Sequence, residues 1–252
     1  MRRNNKFINL VMGLIILGIA FSFVAVLTNT LANNEILYEL DEVASEAVLK
    51  ITEMQIKESG SNIDLELVIP VVEGLANSDV QASINSTLEN DIKSFQMYML
   101  NMAGEEYNNN NEKYVAKTSF KTNYKGENIL SISVIFYQYT GGAHGIYDMV
   151  GYNFDLKKGT LIELNELLAN ESYKDIINEE IKRQISENEK NIDYFEDESG
   201  FKSIASQQPY YIKDDKLVIF FSLYEIAPYA SGIPEFEIPL SLFGEDIKFE
   251  IT

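Results

Sequence analysis

The chain changes its hydrophobic rhythm once, near its start. From Phe7 to Leu31 it carries no charge and is apolar almost throughout to Leu27. A helix crossing a bilayer core needs about 20 such residues, so this stretch predicts one transmembrane helix. Beyond it the apolar positions turn periodic. Leu37 to Lys57 is mixed and acidic and reads as a juxtamembrane helix. Ile63, Leu65, Leu67 and Ile69 alternate with neighbours that include Asp64 and Glu66, the period of a half-buried strand, and Pro70 is expected to end it. Val80, Ile84, Leu88, Ile92, Phe95, Met99 and Met102 then recur at three or four residues and predict a long helix packed on a sheet. Ser78, with Gln81 three places on, has the spacing of a capping box.

Further along, Tyr114–Tyr124 and Ile129–Tyr139 predict a hairpin across Lys125-Gly126-Glu127-Asn128, and Tyr147–Leu156 another strand ending at Lys157-Lys158-Gly159. A short helical turn near Leu164–Leu168 precedes a helix from Ser172 to Ile185, with Ile176, Ile177, Ile181 and Ile185 on one face and Ser172 as its cap. Tyr210–Lys213 and Lys216–Leu223 should pair across Asp214-Asp215, and Phe236–Leu240 and Ile247–Ile251 supply the last strands. The expected fold class is therefore α+β: an antiparallel sheet with two main helices, preceded by one N-terminal transmembrane helix.

Charge refines this picture. Arg2, Arg3 and Lys6 flank the apolar span on one side only, which predicts an N-terminus inside the cell. A signal peptide is the alternative, with Thr30 and Ala32 as the small residues of a signal-peptidase site. Both readings put residues 33–252 outside the membrane, either anchored by a single pass or secreted after cleavage. Without the three basic residues of the flank, 17 of the 20 basic residues face 39 acidic ones, a balance of −22. Such a surface argues against nucleic acid and favours a cationic partner. The absence of cysteine excludes disulfides, thiol catalysis, cysteine metal sites and a lipid-bearing cysteine.

Candidate chemistry is sparse. The single histidine, His144, sits in Tyr137-Gln-Tyr-Thr-Gly-Gly-Ala-His-Gly145, a sharply turning loop after a strand. No second histidine, HExxH or G-x-S-x-G accompanies it, so the expected role is loop structure or binding, through hydrogen bonds to backbone groups. The acidic run Glu187–Glu198 lacks the spacing of a calcium loop and reads as a solvated segment, or equally a landing strip for a basic protein. No metal or cofactor is expected. Tyr137, Tyr139, Tyr147 and Tyr152 flank the histidine loop, while Tyr224 and Tyr229 flank Pro228 in a second unusual phrase, Tyr224-Glu-Ile-Ala-Pro-Tyr-Ala-Ser-Gly232. Tyrosine gives an interface rigid apolar area with a polar tip. Tyr139, His144, Tyr147, Tyr224 and Tyr229 are the candidate binding residues.

Together these phrases, with Gly151–Gly159, Leu164–Leu168 and the stretch from Pro209-Tyr-Tyr-Ile212 to Pro239, resemble the extracytoplasmic domain of the anti-sigma-V factor (RsiV) family, which also accompanies some peptidoglycan deacetylases. Residues 63–92 resemble the smaller module that precedes that domain. The expected organisation is a cytoplasmic stub at 1–6, a membrane span or signal peptide at 7–31, a linker and N-terminal α/β module at 33–104, and the RsiV-like domain at 105–252. The resemblance implies a bacterial membrane protein whose outer domain binds lysozyme, after which cleavage near the membrane releases a sigma factor. Only six residues precede Phe7, too few for a sigma-binding segment, so the expectation is a non-enzymatic sensor or binding protein. A peptidoglycan-binding module is the alternative.

Overall fold

A computed structural model describes residues 48–105, 112–170 and 172–249. The expected membrane span, Thr30 and Ala32 lie outside them. No helix among the described residues is long and apolar enough to cross a membrane.

Among the described residues, nine strands and three α-helices make an α+β fold. The strands are β1 (Lys50–Ser59), β2 (Ile63–Glu73), β3 (Tyr114–Lys125), β4 (Ile129–Tyr139), β5 (Ile146–Asp155), β6 (Thr160–Leu161), β7 (Tyr210–Lys213), β8 (Lys216–Phe220) and β9 (Glu235–Pro239). The helices are α1 (Ser78–Glu105), α2 (Leu164–Leu167) and α3 (Tyr173–Glu187). One sheet runs β1-β2-β3-β4-β5-β6 and a second runs β7-β8-β9.

The larger sheet is mixed, which corrects the antiparallel expectation. β2 and β3 pair in parallel, Ile63 opposite Tyr114 through Glu66 opposite Lys117. Between them α1, about 42 Å long at 1.5 Å per residue, carries the chain back to the end it left, which is what a parallel pair requires. β1 replaces the carboxy-terminal part of the expected juxtamembrane helix; residues 37–47 lie outside the described ones. As an edge strand it is mostly exposed, so burial imposes little period on its sequence.

Pro70 does not end β2, which continues to Glu73. The N–H of Val68 donates to Thr118 Oγ1 (2.8 Å) and that of Val72 to Asn85 Oδ1 (2.7 Å). Residues two apart point the same way along a strand. The missing N–H of Pro70 therefore faces this side-chain-supplied edge rather than the β1 ladder, where it costs no pairing.

The start of α1 also differs from expectation. Asn77 Oδ1 accepts from the N–H groups of Asp79 (3.0 Å) and Val80 (3.2 Å), so Asn77 is the cap and Ser78 opens the helix. Gln81 reaches back to Leu75 N–H instead (3.0 Å). Ser172 makes no cap bond; its own N–H donates to Asn170 Oδ1 (3.2 Å). Of the expected C-terminal strand at 247–251, the described residues 247–249 make one bridge, Leu168 opposite Ile247, after a 3-10 segment at Leu240–Asp246.

Alternation along β4 and β5 builds the layers. Leu130, Ile132, Val134, Tyr152 and Phe154 face α1 and pack with Ile84, Leu88 and Ile92. The opposite face meets the smaller sheet, with α3 behind it through Ile177 and Ile181. Being covered on both faces, β4 is buried continuously from Ile129 to Val134. Between the sheets Ser131 Oγ donates to Asn153 Oδ1 (2.7 Å) and accepts from Ile212 N–H (2.9 Å), while Asn153 Nδ2 donates to Tyr210 O (2.9 Å). Gly151 lies against the same carbonyl, where a Cβ would come within 2.0 Å of the oxygen.

Candidate functional site

Two loops far apart in sequence meet at one end of the β4–β5 hairpin. The first, between Tyr139 and Ile146, turns at Gly141 and Gly142, whose φ values of 93° and 105° suit glycine alone. The second follows β8 and carries Tyr224, itself at φ 66°, and a 3-10 turn at Tyr229–Ser231. Pro228 enters that turn extended, and Gly232 leaves it at φ 72°.

The rings of His144 and Tyr229 stack with centroids 4.2 Å apart and an interplanar angle of 30°. Tyr224 lies 5.7 Å from Tyr229, and Tyr147 meets Tyr229 edge-on at 6.3 Å. One backbone oxygen fastens the loops: Gly145 O accepts from the Tyr229 hydroxyl (2.8 Å) and sits 2.9 Å from His144 Nδ1. A carbonyl can only accept, so the proton on this side of the imidazole is on Nδ1, and in the neutral ring Nε2 is left as an acceptor. Gly145 also seats Tyr137, whose hydroxyl would lie 2.3 Å from any Cβ there. Burial, and then the neighbouring Tyr229, push the Tyr147 hydroxyl above its ordinary pKa.

Of the five candidate residues, His144, Tyr147, Tyr224 and Tyr229 thus share one cluster. Tyr139 stands aside. Its hydroxyl faces the Glu112 carboxylate and the Gly142 carbonyl (3.0 Å), and donation to Glu112 raises its pKa. Tyr152 is buried under α1, where its hydroxyl donates to Asp91 Oδ2 (3.0 Å). Among the described residues no group of three or more histidine, cysteine, aspartate or glutamate side chains is placed to hold a metal ion.

Next to the cluster, on the α1 side of the sheet, opens a groove of about 600 Å³. Phe95 of α1 and Phe136, Ile146 and Val150 of the sheet give it an apolar floor, and Asp91 and Asp148 stand in its wall. Ser222 and Leu223 wrap the free edge of β5, with Ser222 Oγ donating to Asp148 Oδ1 (3.1 Å). Sequence reasoning missed this groove. Ile146, Asp148 and Val150 alternate as strand residues do, but nothing in that pattern says that α1 stops short of covering them.

Comparison with known proteins places this architecture in a class. Two family models match in series: one described as deacetylase PdaC over residues 56–147, and one for a protein family of unknown function, DUF3298, over 165–241. Solved DUF3298 proteins share the fold. One from Bacteroides fragilis has a TM-score of 0.63 and 18% identity, covering 81% of this chain and 95% of its own. One from Pseudomonas aeruginosa has a TM-score of 0.58 and 15% identity, covering 81% and 96%. The anti-sigma-V factor RsiV of Bacillus subtilis is 29% identical over 211 residues, which span 80% of this chain and 72% of that protein. The chain thus carries an RsiV-like domain, similar to the anti-sigma-V factor over 80% of its length.

Proposed function

We propose that this chain is a membrane-anchored binding protein whose domain lies outside the cell and captures a cationic protein, lysozyme first among them. The span at 7–31 is its anchor, or a signal peptide cleaved at Thr30-Leu31-Ala32. The observation that carries the reading is the convergence of His144, Tyr147, Tyr224 and Tyr229 from two loops joined at Gly145 O. Stacked rings with polar tips, supported by a folded sheet, are groups that anchor protein interfaces. The strongly acidic outer chain would draw in a basic partner, and the RsiV kinship gives lysozyme its priority. The same kinship supports a binding rather than a catalytic role. The full chain in detergent should be retained on immobilised lysozyme at micromolar concentration, less so as salt rises, and Tyr229→Ala should abolish retention while the circular dichroism spectrum is unchanged. Absence of retention by the wild-type chain at low salt would refute the proposal.

The PdaC match over 56–147 favours a second reading, a peptidoglycan-binding module with tyrosines stacked on sugars. Retention on purified cell wall, together with indifference to lysozyme, would select it.

A further inference from the structure

We propose that the groove between α1 and β5 receives an arginine side chain of the partner, extending the aromatic cluster into a two-part binding surface. This deepens the reading above and rests on it for the partner's class. The groove's chemistry is one-sided: its lining holds two carboxylates, Asp91 and Asp148, and no basic residue. Neither carboxylate is in an ion pair among the described residues. Each is held in place by a neutral donor, Asp91 Oδ2 by the Tyr152 hydroxyl and Asp148 Oδ1 by Ser222 Oγ and Met149 N–H (2.9 Å). The other oxygen of each is left for a ligand.

The floor matches the rest of such a side chain. Ile146 and Val150 are 43% and 37% exposed, high values for apolar residues inside a paired strand. Phe95 and Phe136 meet edge to face at 5.3 Å behind them. An arginine stem lies along apolar surface while its planar head seeks carboxylates and aromatic faces. Lysine has the charge but lacks the plane and the forked donors. A purely apolar ligand would leave both carboxylates covered and unpaired, which is costly.

The groove also adjoins the cluster directly. Tyr147 lines the groove and contacts Tyr229, and Leu223 in its wall is followed by Tyr224. A single partner surface would therefore meet both, with its arginine entering around the edge of β5.

The experiment uses the full chain in detergent with two probes, lysozyme and N-acetyl-arginyl-leucinamide. With the dipeptide, amide shifts should appear at Ser94, Ile146 and Val150, and vanish in Asp91→Asn/Asp148→Asn, whose amides keep the oxygens that accept from Tyr152 and Ser222. The lysyl analogue should shift these amides at least threefold more weakly at equal concentration. With lysozyme, the double variant should bind at least tenfold more weakly. Glu179→Gln/Glu245→Gln removes the same charge elsewhere and should lower affinity less than threefold. Lysozyme binding unaltered by the groove variant overturns the groove's role and leaves the proposed function standing. Dipeptide shifts at the groove without any lysozyme binding overturn the proposed function and leave the groove. Absence of dipeptide shifts at these amides overturns the groove outright.

Discussion

Asn153→Ala tests what holds the two sheets together, and with them the loops of the site. The side chain is 2% exposed and makes two hydrogen bonds, accepting from Ser131 Oγ and donating to Tyr210 O. Alanine leaves the Ser131 hydroxyl proton without its acceptor and Tyr210 O without this donor, both buried between the sheets. Stranding a buried partner costs about 1–3 kcal/mol, so two give about 2–6 kcal/mol, with a small further loss of packing. Domains are commonly stable by about 5–15 kcal/mol, so the variant folds but is visibly weakened. In urea, with a slope of about 2 kcal/mol/M, the midpoint should fall by roughly 1–3 M. Ser131→Ala made alone and together with Asn153→Ala closes a double-mutant cycle, with an expected coupling above about 0.5 kcal/mol. Asn90→Ala, on the polar surface of α1, should shift the midpoint little. A loss below about 1 kcal/mol for Asn153→Ala, or strict additivity with Ser131→Ala, would show that packing alone joins the layers.

Two further outcomes follow from the same structure. Gly151→Ala places a methyl group 2.0 Å from Tyr210 O, and since backbone cannot swing aside the sheets must part. A cost of about 2 kcal/mol or more should lower the melting temperature by at least about 5 °C, and an unchanged melt would contradict the close approach. Glu237 receives Lys213 (2.5 Å) and Lys216 (2.6 Å), which hold its carboxyl near a pKa of about 2 against an ordinary 4.5. A depressed carboxylate pKa stabilises the fold above 4.5, and that contribution disappears as pH falls towards 2. The group is 34% exposed, so screening limits it to roughly 1–2 kcal/mol. Denaturation midpoints of wild type and Glu237→Gln should differ at pH 6 and converge near pH 2; a gap that persists at pH 2 would exclude the ion pairs as its source.

Elements with one dominant period were legible in the sequence. The stripe from Val80 to Met102 gave α1, and the runs around Lys125-Gly126-Glu127-Asn128 and Asp214-Asp215 gave both hairpins, because local pattern and burial agree there. β1 was not legible: an edge strand buries too little for its residues to be sorted by face. The parallel pairing of β2 with β3 covers four residues on each strand and depends on where a long helix returns the chain, which no local window contains. Asn77 rather than Ser78 caps α1, a one-residue shift that two adjacent residues of capping type leave open in the sequence. At the site, both phrases read as loops with exposed aromatics, but their meeting at Gly145 O is a tertiary event. Asp91 and Asp148 looked like two among 39 acidic residues; only the groove they share beside α1 distinguishes them.

The bond from Tyr229 to Gly145 closes a loop of 84 residues. Long loops close late, because their ends must be ordered before the contact repays them. A chain cut anywhere before residue 229 therefore lacks the completed His144–Tyr229 cluster. Under the proposed function, capture of a partner would then report that the chain is complete to residue 229 and folded, so that the fold itself would serve as proof-reading before binding.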